Sequence, residues 1–405
     1  MSAIVKETVF SNATPPSGVD GIRVMIVDDS VVVRGLVSRW INEEPGLIAV
    51  GKFSNGLKAL ENVLEVDPDV IVLDIEMPVM SGIEALPEIL KRLPGVQVIM
   101  ASTLTQRNAE ISLNALSLGA ADYVPKPVSN SGVTTSADFR NDLIEKIKAL
   151  GAKRTKRTSS RAQSSVGSSS QARTSNSAPR PVLTETTTVS KPEVTNSPGL
   201  SLRPASKMRP RVLLIGSSTG GPPALVSVME KLAPKLGNIP VLITQHMPAT
   251  FTGIFASHIA RASGLVAKEG IDGEAVLPGR VYVAPGGRHM IVERKGASAV
   301  IRLTDGPEVN FCKPAVDPLF ETASKVYGAS TLAAVFTGMG TDGAKGADII
   351  ANAGGSVLAQ DEETSVVWGM PGATAKIGAC CAILPLNKIA DKLANLIQGI
   401  KNDTE

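Results

Sequence analysis

Between Ile22 and Pro127 short apolar runs alternate with stretches of helical period. Runs of that length suit strands buried on both faces, and the periodic stretches suit helices that cover them. The pattern predicts strands at 22–27, 48–53, 70–73, 96–101 and 123–124, with helices near 31–43, 56–66, 82–93 and 106–118. A further helix at 139–150 closes the unit. Strand–helix alternation of this kind predicts a five-stranded parallel sheet covered on both faces.

From Ala152 to Met208 the periodicity stops. The segment is rich in Ser and Thr, lacks aromatic residues and contains Pro179, Pro181, Pro192, Pro198 and Pro204. It holds too little apolar surface to offset its ordering entropy, so a disordered linker is expected, with a coil span of roughly 40 Å. From Arg211 a second α/β pattern begins. Strands are expected at 211–215, 241–245, 281–284, 290–294, 299–303, 332–336 and 356–359, and helices at 222–232, 251–262, 317–327, 343–353 and 387–400. The stretch Asp272 to Asp305 reads as β-hairpins inserted into a doubly wound, mostly parallel sheet. The expected organisation is a disordered extension 1–20, a first domain 21–150, a basic linker 151–208 and a second domain 209–405.

Composition adjusts this picture in three places. A chain of 405 residues with 43% hydrophobic content is long enough for two cores, while 3% aromatic residues argue against an aromatic nucleic-acid surface. The net charge of +3 is an uneven average: eleven Lys or Arg between Gly151 and Pro210 face only Glu185 and Glu193, so the remainder is net acidic. Basicity confined to a tether argues against a nucleic-acid-binding domain. Cys312, Cys380 and Cys381 form no C-x-x-C, which argues against a disulfide frame or zinc site. The first twenty residues lack an apolar signal core, and no apolar run approaches membrane-spanning length. A cytoplasmic protein, not inserted in a membrane, is expected.

Functional side chains in open parallel sheets collect past the carboxyl ends of strands. In the first domain that rule gathers Asp28 and Asp29 after the first strand, Asp74 after the third, Ser102 after the fourth and Lys126 after the fifth. Three carboxylates at one edge repel one another unless a cation lies between them, and a hard, oxygen-seeking Mg²⁺ meets that need. Asp74 then has a neutralised approach for a phosphoryl donor, Lys126 can pair with the charge delivered, and Ser102 can bond a phosphate oxygen. Taken singly, each Asp is a plain cap or turn former; the set of five is harder to explain that way.

In the second domain the strand ending at Ile215 runs into Gly216-Ser217-Ser218-Thr219-Gly220-Gly221, and Pro222 opens a helix. Gly216-x-Ser218-x-Gly220 has the spacing of a nucleophile elbow. A phosphate-binding loop or a plain turn would have similar glycines, although no Lys follows and G-x-G-x-x-G is absent. A serine nucleophile needs a base. His258 lies in a helical run, and His289 lies in a loop entering a hairpin where it could line a pocket. His246 alone directly follows an expected core strand. The strand Leu332–Phe336 leads into Thr337-Gly338-Met339-Gly340-Thr341-Asp342-Gly343, which brings Asp342 to the same edge with glycine-flanked amides suited to an oxyanion. Asp342 could equally cap the helix that follows. The chain order Ser, His, Asp differs from that of α/β-hydrolases, so that fold is not implied.

The first domain resembles the receiver domain of bacterial response regulators through Asp28-Asp29, the turn Asp74-Ile75-Glu76-Met77-Pro78, Ser102 and Lys126-Pro127. The resemblance implies a flavodoxin-like sheet order and phosphorylation of Asp74 by a partner histidine kinase, with Mg²⁺ held by Asp29, Asp74 and the Glu76 carbonyl and with Asp28 nearby. Both halves together are similar to chemotaxis-type protein-glutamate methylesterases, which are also glutamine deamidases. The matching blocks are Ile215 to Pro222, Gln245 to Pro248, Ala284 to Gly286, Lys313 to Asp317, Thr337 to Gly343, Gln360 to Glu362 and Gly369 to Pro371. This implies Ser218 as nucleophile, His246 as base, Asp342 as orienting acid and the Met339 amide as oxyanion donor. The implied substrate is a γ-methyl ester of glutamate, or a glutamine, on cytoplasmic helices of chemoreceptors. No cofactor is implied for the ester reaction, and a monomer is expected. In that family the unphosphorylated receiver packs over the active site. One departure is a longer linker, which lowers the effective concentration of one domain at the other only gradually. The rival outputs are a non-enzymatic binding domain, a Rossmann-like nucleotide domain, which would be stabilised by its cofactor, and a DNA-binding domain, for which no helix-turn-helix region remains.

Overall fold

The computed structural model describes residues 21–103, 105–126, 137–152 and 200–400. The expected extension 1–20, Pro127 and the expected linker as far as residue 199 lie outside the described residues, except for the helical residues 151 and 152.

The first domain runs β1 Ile22–Val27, α1 Val31–Glu43, β2 Leu47–Phe53, α2 Gly56–Val66, β3 Val70–Asp74, α3 Gly82–Arg92, β4 Gln97–Thr103, α4 Gln106–Ser117, β5 Asp122–Lys126 and α5 at 137–152. Its sheet order is β2-β1-β3-β4-β5, and every recorded pairing is parallel. Burial follows position: β2, an edge strand, alternates buried and half-buried residues, whereas central β3 is buried throughout. Helices start on residues that satisfy their free amides. Ser30 and Asn55 accept from Val33 and Lys58, and Ser81 with Glu84 forms a capping box on α3.

The second domain continues with β6 Val212–Ser217, α6 Gly221–Leu232, β7 Val241–Gln245, α7 Ala249–Ser263, β8 Val266–Glu269 and β9 Arg280–Val283. Then come β10 His289–Lys295, β11 Ser298–Thr304, α8 Val316–Tyr327, β12 Thr331–Val335, α9 Ala344–Asn352, β13 Ser356–Gln360, α10 Met370–Lys376, β14 Ala382–Leu384 and α11 Leu386–Gln398. Seven strands form a parallel sheet in the order β14-β13-β12-β6-β7-β9-β8. Its middle strand is two-sided: Leu213 and Ile215 of β6 join one core, Val212 and Leu214 the other. Within Asp272 to Asp305 a single hairpin, β10–β11, stands apart; β9 joins the main sheet because Val281 to Val283 are wholly buried beside β7.

Residues 200–208 fall in the expected linker but are held by the second domain. The Arg203 guanidinium donates to the Gly378 carbonyl at 2.7 Å and pairs with Asp348 at 3.0 Å, while Ser206 bonds Ser356 and the Ala329 carbonyl. Side-chain partners well downstream, which composition does not reveal, anchor this stretch.

The two domains meet. Helix α4 packs on α6 and α7, the Tyr123 and Phe251 rings stack 4.4 Å apart, and Thr219 donates a 2.6 Å hydrogen bond to Asp122. Tyr123 and Phe251 are both buried, so the contact is dry.

Candidate active site and phospho-acceptor pocket

In each sheet the chain reverses direction of winding beside its first strand. Crevices form at such switch points, beyond the carboxyl ends of the strands. In the first domain the switch lies between β1 and β3, the strands that deliver Asp28, Asp29 and Asp74. Asp28 and Asp74 are buried and Asp29 is exposed, and their carboxylate oxygens lie within 4.8 Å of one another. Lys126, ending β5, reaches Asp28 at 2.6 Å and Asp74 at 2.7 Å. Burial pushes the Asp74 carboxyl up to about 6; Lys126 opposes this by charge and hydrogen bond, while Asp28 and Asp29 add to it. A buried carboxylate that resists ionising beside two others is a donor set suited to a small divalent cation. Glu76 follows in an exposed turn. Ser102 is buried, its hydroxyl 3.0 Å from that of Ser112 on α4.

In the second domain the switch lies between β12 and β6. Ser218 is the first residue past β6, and its amide donates to the Thr337 carbonyl at 3.0 Å. Two glycines make that approach possible. Gly220 has a left-handed φ of 75°, and a Cβ on Gly338 would lie 2.7 Å from the Ser218 Cβ. Gln245, ending β7, accepts from the Ser217 hydroxyl at 2.6 Å and donates to the carbonyls of Ser218 and His246 at 3.0 and 3.1 Å. One side chain thus fixes the nucleophile candidate and the base candidate to each other. Its side chain gave no advance signal beyond lying beside His246.

His246 Nε2 lies 2.8 Å from Asp342 Oδ2. The Asp342 carboxylate also accepts from the Val316 amide at 2.5 Å, the Asp317 amide at 3.1 Å and Asn310 Nδ2 at 3.0 Å. Val316 and Asp317 open α8, so the carboxylate sits at a helix N-terminus, where unpaired amides and the dipole favour negative charge. Burial alone would raise the Asp342 pKa; the bonds from His246 and these amides hold it below the usual carboxylate range. Asp342 precedes α9 but makes no cap bond to it, since Gly343 is the N-cap residue. Burial works against an imidazolium at His246, yet Asp342 and the Cys312 sulfur, by hydrogen bond and charge, lift its pKa to about 9.

One link of the expected series is not made. His246 Nδ1 faces Cys312 Sγ at 3.3 Å, and the Ser218 hydroxyl has no hydrogen bond among the described residues. With Nε2 donating to Asp342, Nδ1 is the nitrogen left to take a proton. Ser218, His246 and Cys312 line one interdomain cleft of about 1120 Å³, with Thr219, Met339 and Gly340 beside them and Asp122, Tyr123 and Pro125 on the receiver side. The Met339 amide has no partner among the described residues, whereas those of Ser218 and Gly338 are bonded to Thr337 and Val367.

The other histidines are elsewhere. His289 begins β10 and is buried, with Nδ1 accepting from the Ala315 amide at 3.1 Å and Nε2 bonded to the Pro307 carbonyl at 2.9 Å. It ties down the loop leading into α8 and does not line the cleft. His258 lies on α7, where burial and Arg261 lower its pKa against the pull of Glu110 on α4. Sequence reasoning missed Asn310 and Cys312 beside the pair, and gave Asp317 no role beyond its place in a matching block. Asn310 Nδ2 also bonds Asp317 at 3.0 Å, and Asp317 accepts from the Gly346 amide at 2.7 Å. The only available signal for Asn310 was its residue type, which tolerates a left-handed backbone; its φ is 53°.

A receiver sheet with an intact acidic pocket, set against an α/β domain whose cleft holds a serine beside a His–Asp pair, defines a phosphorylation-controlled hydrolase. Comparisons with known proteins agree. Residues 213–393 match a family model described as CheB methylesterase, and residues 24–138 one described as response regulator receiver domain. The chain is 52% identical over 389 residues to the protein-glutamate methylesterase/protein-glutamine glutaminase of group 2 operon of Rhodopseudomonas palustris, covering 96% of this chain and 97% of that one. It is 51% identical over 399 residues to the protein-glutamate methylesterase/protein-glutamine glutaminase of Nitrobacter hamburgensis, covering 98% and 99%. The crystal structure of the Thermotoga maritima CheB methylesterase catalytic domain is 40% identical with a TM-score of 0.45, covering 47% of this chain and all of that one. The chain belongs to the protein-glutamate methylesterase/protein-glutamine glutaminase family. No helix among the described residues is long and apolar enough to cross a membrane.

Proposed function

We propose that this chain removes methyl groups from glutamate γ-methyl esters, and amide nitrogen from glutamines, on cytoplasmic helices of chemoreceptors, under control of a histidine kinase. The observation that carries the reading is the His246–Asp342 pair, anchored at the start of α8 and tied by Gln245 to Ser218.

Ser218 Oγ attacks the ester carbonyl carbon while its proton passes to His246 Nδ1, which exchanges the Cys312 sulfur for the serine hydroxyl. The carbonyl oxygen gains negative charge and is met by the Met339 amide. As the C–O bond to the methoxy group breaks, Nδ1 returns the proton and methanol leaves. Water then attacks the acyl-serine, giving its proton to Nδ1, and glutamate and free Ser218 result. Asp342 keeps Nε2 protonated and offsets the imidazolium. A glutamine follows the same path and loses ammonia.

In the receiver, the carboxylates of Asp28, Asp29 and Asp74 and the Glu76 carbonyl would hold Mg²⁺, which supplies charge neutralisation for phosphoryl transfer to Asp74. Lys126 and Ser102 answer the new charge. Lys126 ends the strand whose first residues, Asp122 and Tyr123, grip the second domain, and Ser102 is bonded to α4, which packs on α7. Recruiting both toward phospho-Asp74 pulls on the elements that close the cleft. The protein acts in the cytoplasm as a monomer.

The test is methanol release from methylated receptor membranes by wild type, Ser218→Ala, His246→Ala and Asp74→Asn, with and without a small phosphodonor and Mg²⁺. Ser218→Ala is expected to lose essentially all hydrolysis, and Asp74→Asn only the stimulation. Esterase activity surviving the serine change would end this reading of the site; indifference of wild type to phosphodonor would end the reading of its control.

A further inference from the structure

Beside the catalytic pair the chain makes a tight turn. Val309 and Cys312 exchange backbone hydrogen bonds of 3.1 and 3.0 Å, and the two residues between them, Asn310 and Phe311, both have left-handed φ, 53° and 62°. Asn310 suits that conformation; a phenylalanine does not, because its Cβ crowds the backbone there. The ring then gains nothing in return from the fold, for Phe311 is 96% exposed, the most exposed large apolar residue among those described. The turn cannot relax without disturbing the centre. Asn310 bonds Asp342 and Asp317, and Cys312 faces His246. The ring lines the same cleft as Ser218, and the docked receiver, which presents Tyr123 and Pro125 there, leaves it bare.

A strained, solvent-exposed aromatic side chain, fixed on both sides to the proton-transfer pair, is poorly explained by folding and well explained by an absent partner. A glutamyl side chain is short, so a protein that delivers one to Ser218 must bring its own surface against the rim of the cleft. We propose that Phe311 is a specificity-determining residue: its ring packs on apolar side chains of the receptor helix flanking the glutamyl ester, and so selects a protein substrate over a free ester. The inference rests on the assignment of Ser218 and His246 above.

The experiment compares full-length wild type, Phe311→Gly and Phe311→Tyr, with phosphodonor and Mg²⁺ present throughout, on methylated receptor membranes and on a small N-acylated glutamate γ-methyl ester amide. Glycine accepts the left-handed backbone, so Phe311→Gly should fold, with a Tm raised by about 2–4 °C. It is expected to raise KM for receptor roughly ten-fold with kcat little changed, as loss of uniform binding does. Its kcat/KM on the small ester should match wild type, and Phe311→Tyr should restore the receptor KM. Equal losses on both substrates would overturn the proposal, as would an unchanged receptor KM. Ser218→Ala serves as the separating control: if it retained small-ester hydrolysis, the site assignment would fail whatever Phe311 does.

Discussion

The imidazole of His246 has two competing claims on it. Asp342 secures Nε2 at 2.8 Å, and the Cys312 sulfur stands where a nucleophile's hydroxyl would, 3.3 Å from Nδ1. Both raise the ring's pKa, to about 9 from an ordinary 6.5, against burial. The sign follows directly. A raised histidine stabilises the fold fully below 6.5 and loses that contribution as pH rises through about 9, while its use as a base grows over the same window. The kcat/KM profile of the unphosphorylated chain is therefore expected to rise with pH toward a limb near 9. Cys312→Ala removes both contributions of the sulfur and should move that limb to lower pH, which a pH–rate series on the small ester would record. A limb that stays in place would mean the sulfur does not influence the ring. Much of this was legible in advance: Ser218, His246 and Asp342 all lie at the predicted edge. The contest at Nδ1 was not, because Cys312 and Asn310 sit in a loop with no periodicity, and their contacts with His246 and Asp342 span 66 and 32 residues.

Among the elements, the strands and helices that create the two edges were readable because their burial is periodic or complete. Helices α1 and α2 coincide with the predicted 31–43 and 56–66. What escaped was short and marginal. Strand β8 has no fully buried residue and β14 spans only three residues; both are edge strands, with too few positions for a pattern to register. Helix α10 begins at Met370-Pro371, where proline suits a first turn but also resembles a break. The loop after β12 sets the tolerance of the site. A Cβ on Gly338 would meet both the Cβ and the amide nitrogen of Ser218, at 2.7 and 2.8 Å. Gly338→Ala must displace the serine or the loop, and misplacement of about 1 Å can cost about 100-fold in rate. A loss of that order in kcat, with receptor KM and the circular dichroism spectrum preserved, is the expected result.

Across the whole molecule, the dry contact between domains is small but specific. The Tyr123–Phe251 stack is worth about 0.5–1.5 kcal/mol beyond its buried area. The charged hydrogen bond from Thr219 to Asp122 adds about 1.5–3 kcal/mol. Asp122→Ala removes the latter without touching the second domain, and Lys146 keeps Asp142 as an ion partner at 3.2 Å. Methanol release without phosphodonor is expected to rise roughly ten-fold, while the stimulated ceiling stays at the wild-type value. A lowered ceiling would instead mean damage to the fold. The meeting of the domains was anticipated only through resemblance; no pattern in either half announces that β5 of one will grip the first turn after β6 of the other.

That grip lands on Thr219, the immediate neighbour of Ser218. The tether for the regulatory half and the mount for the reactive hydroxyl are consecutive links of one peptide. Separation of the halves therefore frees the residue next to the serine at the same moment as it opens the cleft. Any change that loosens the contact between the halves is felt first at the turn that carries the reactive hydroxyl.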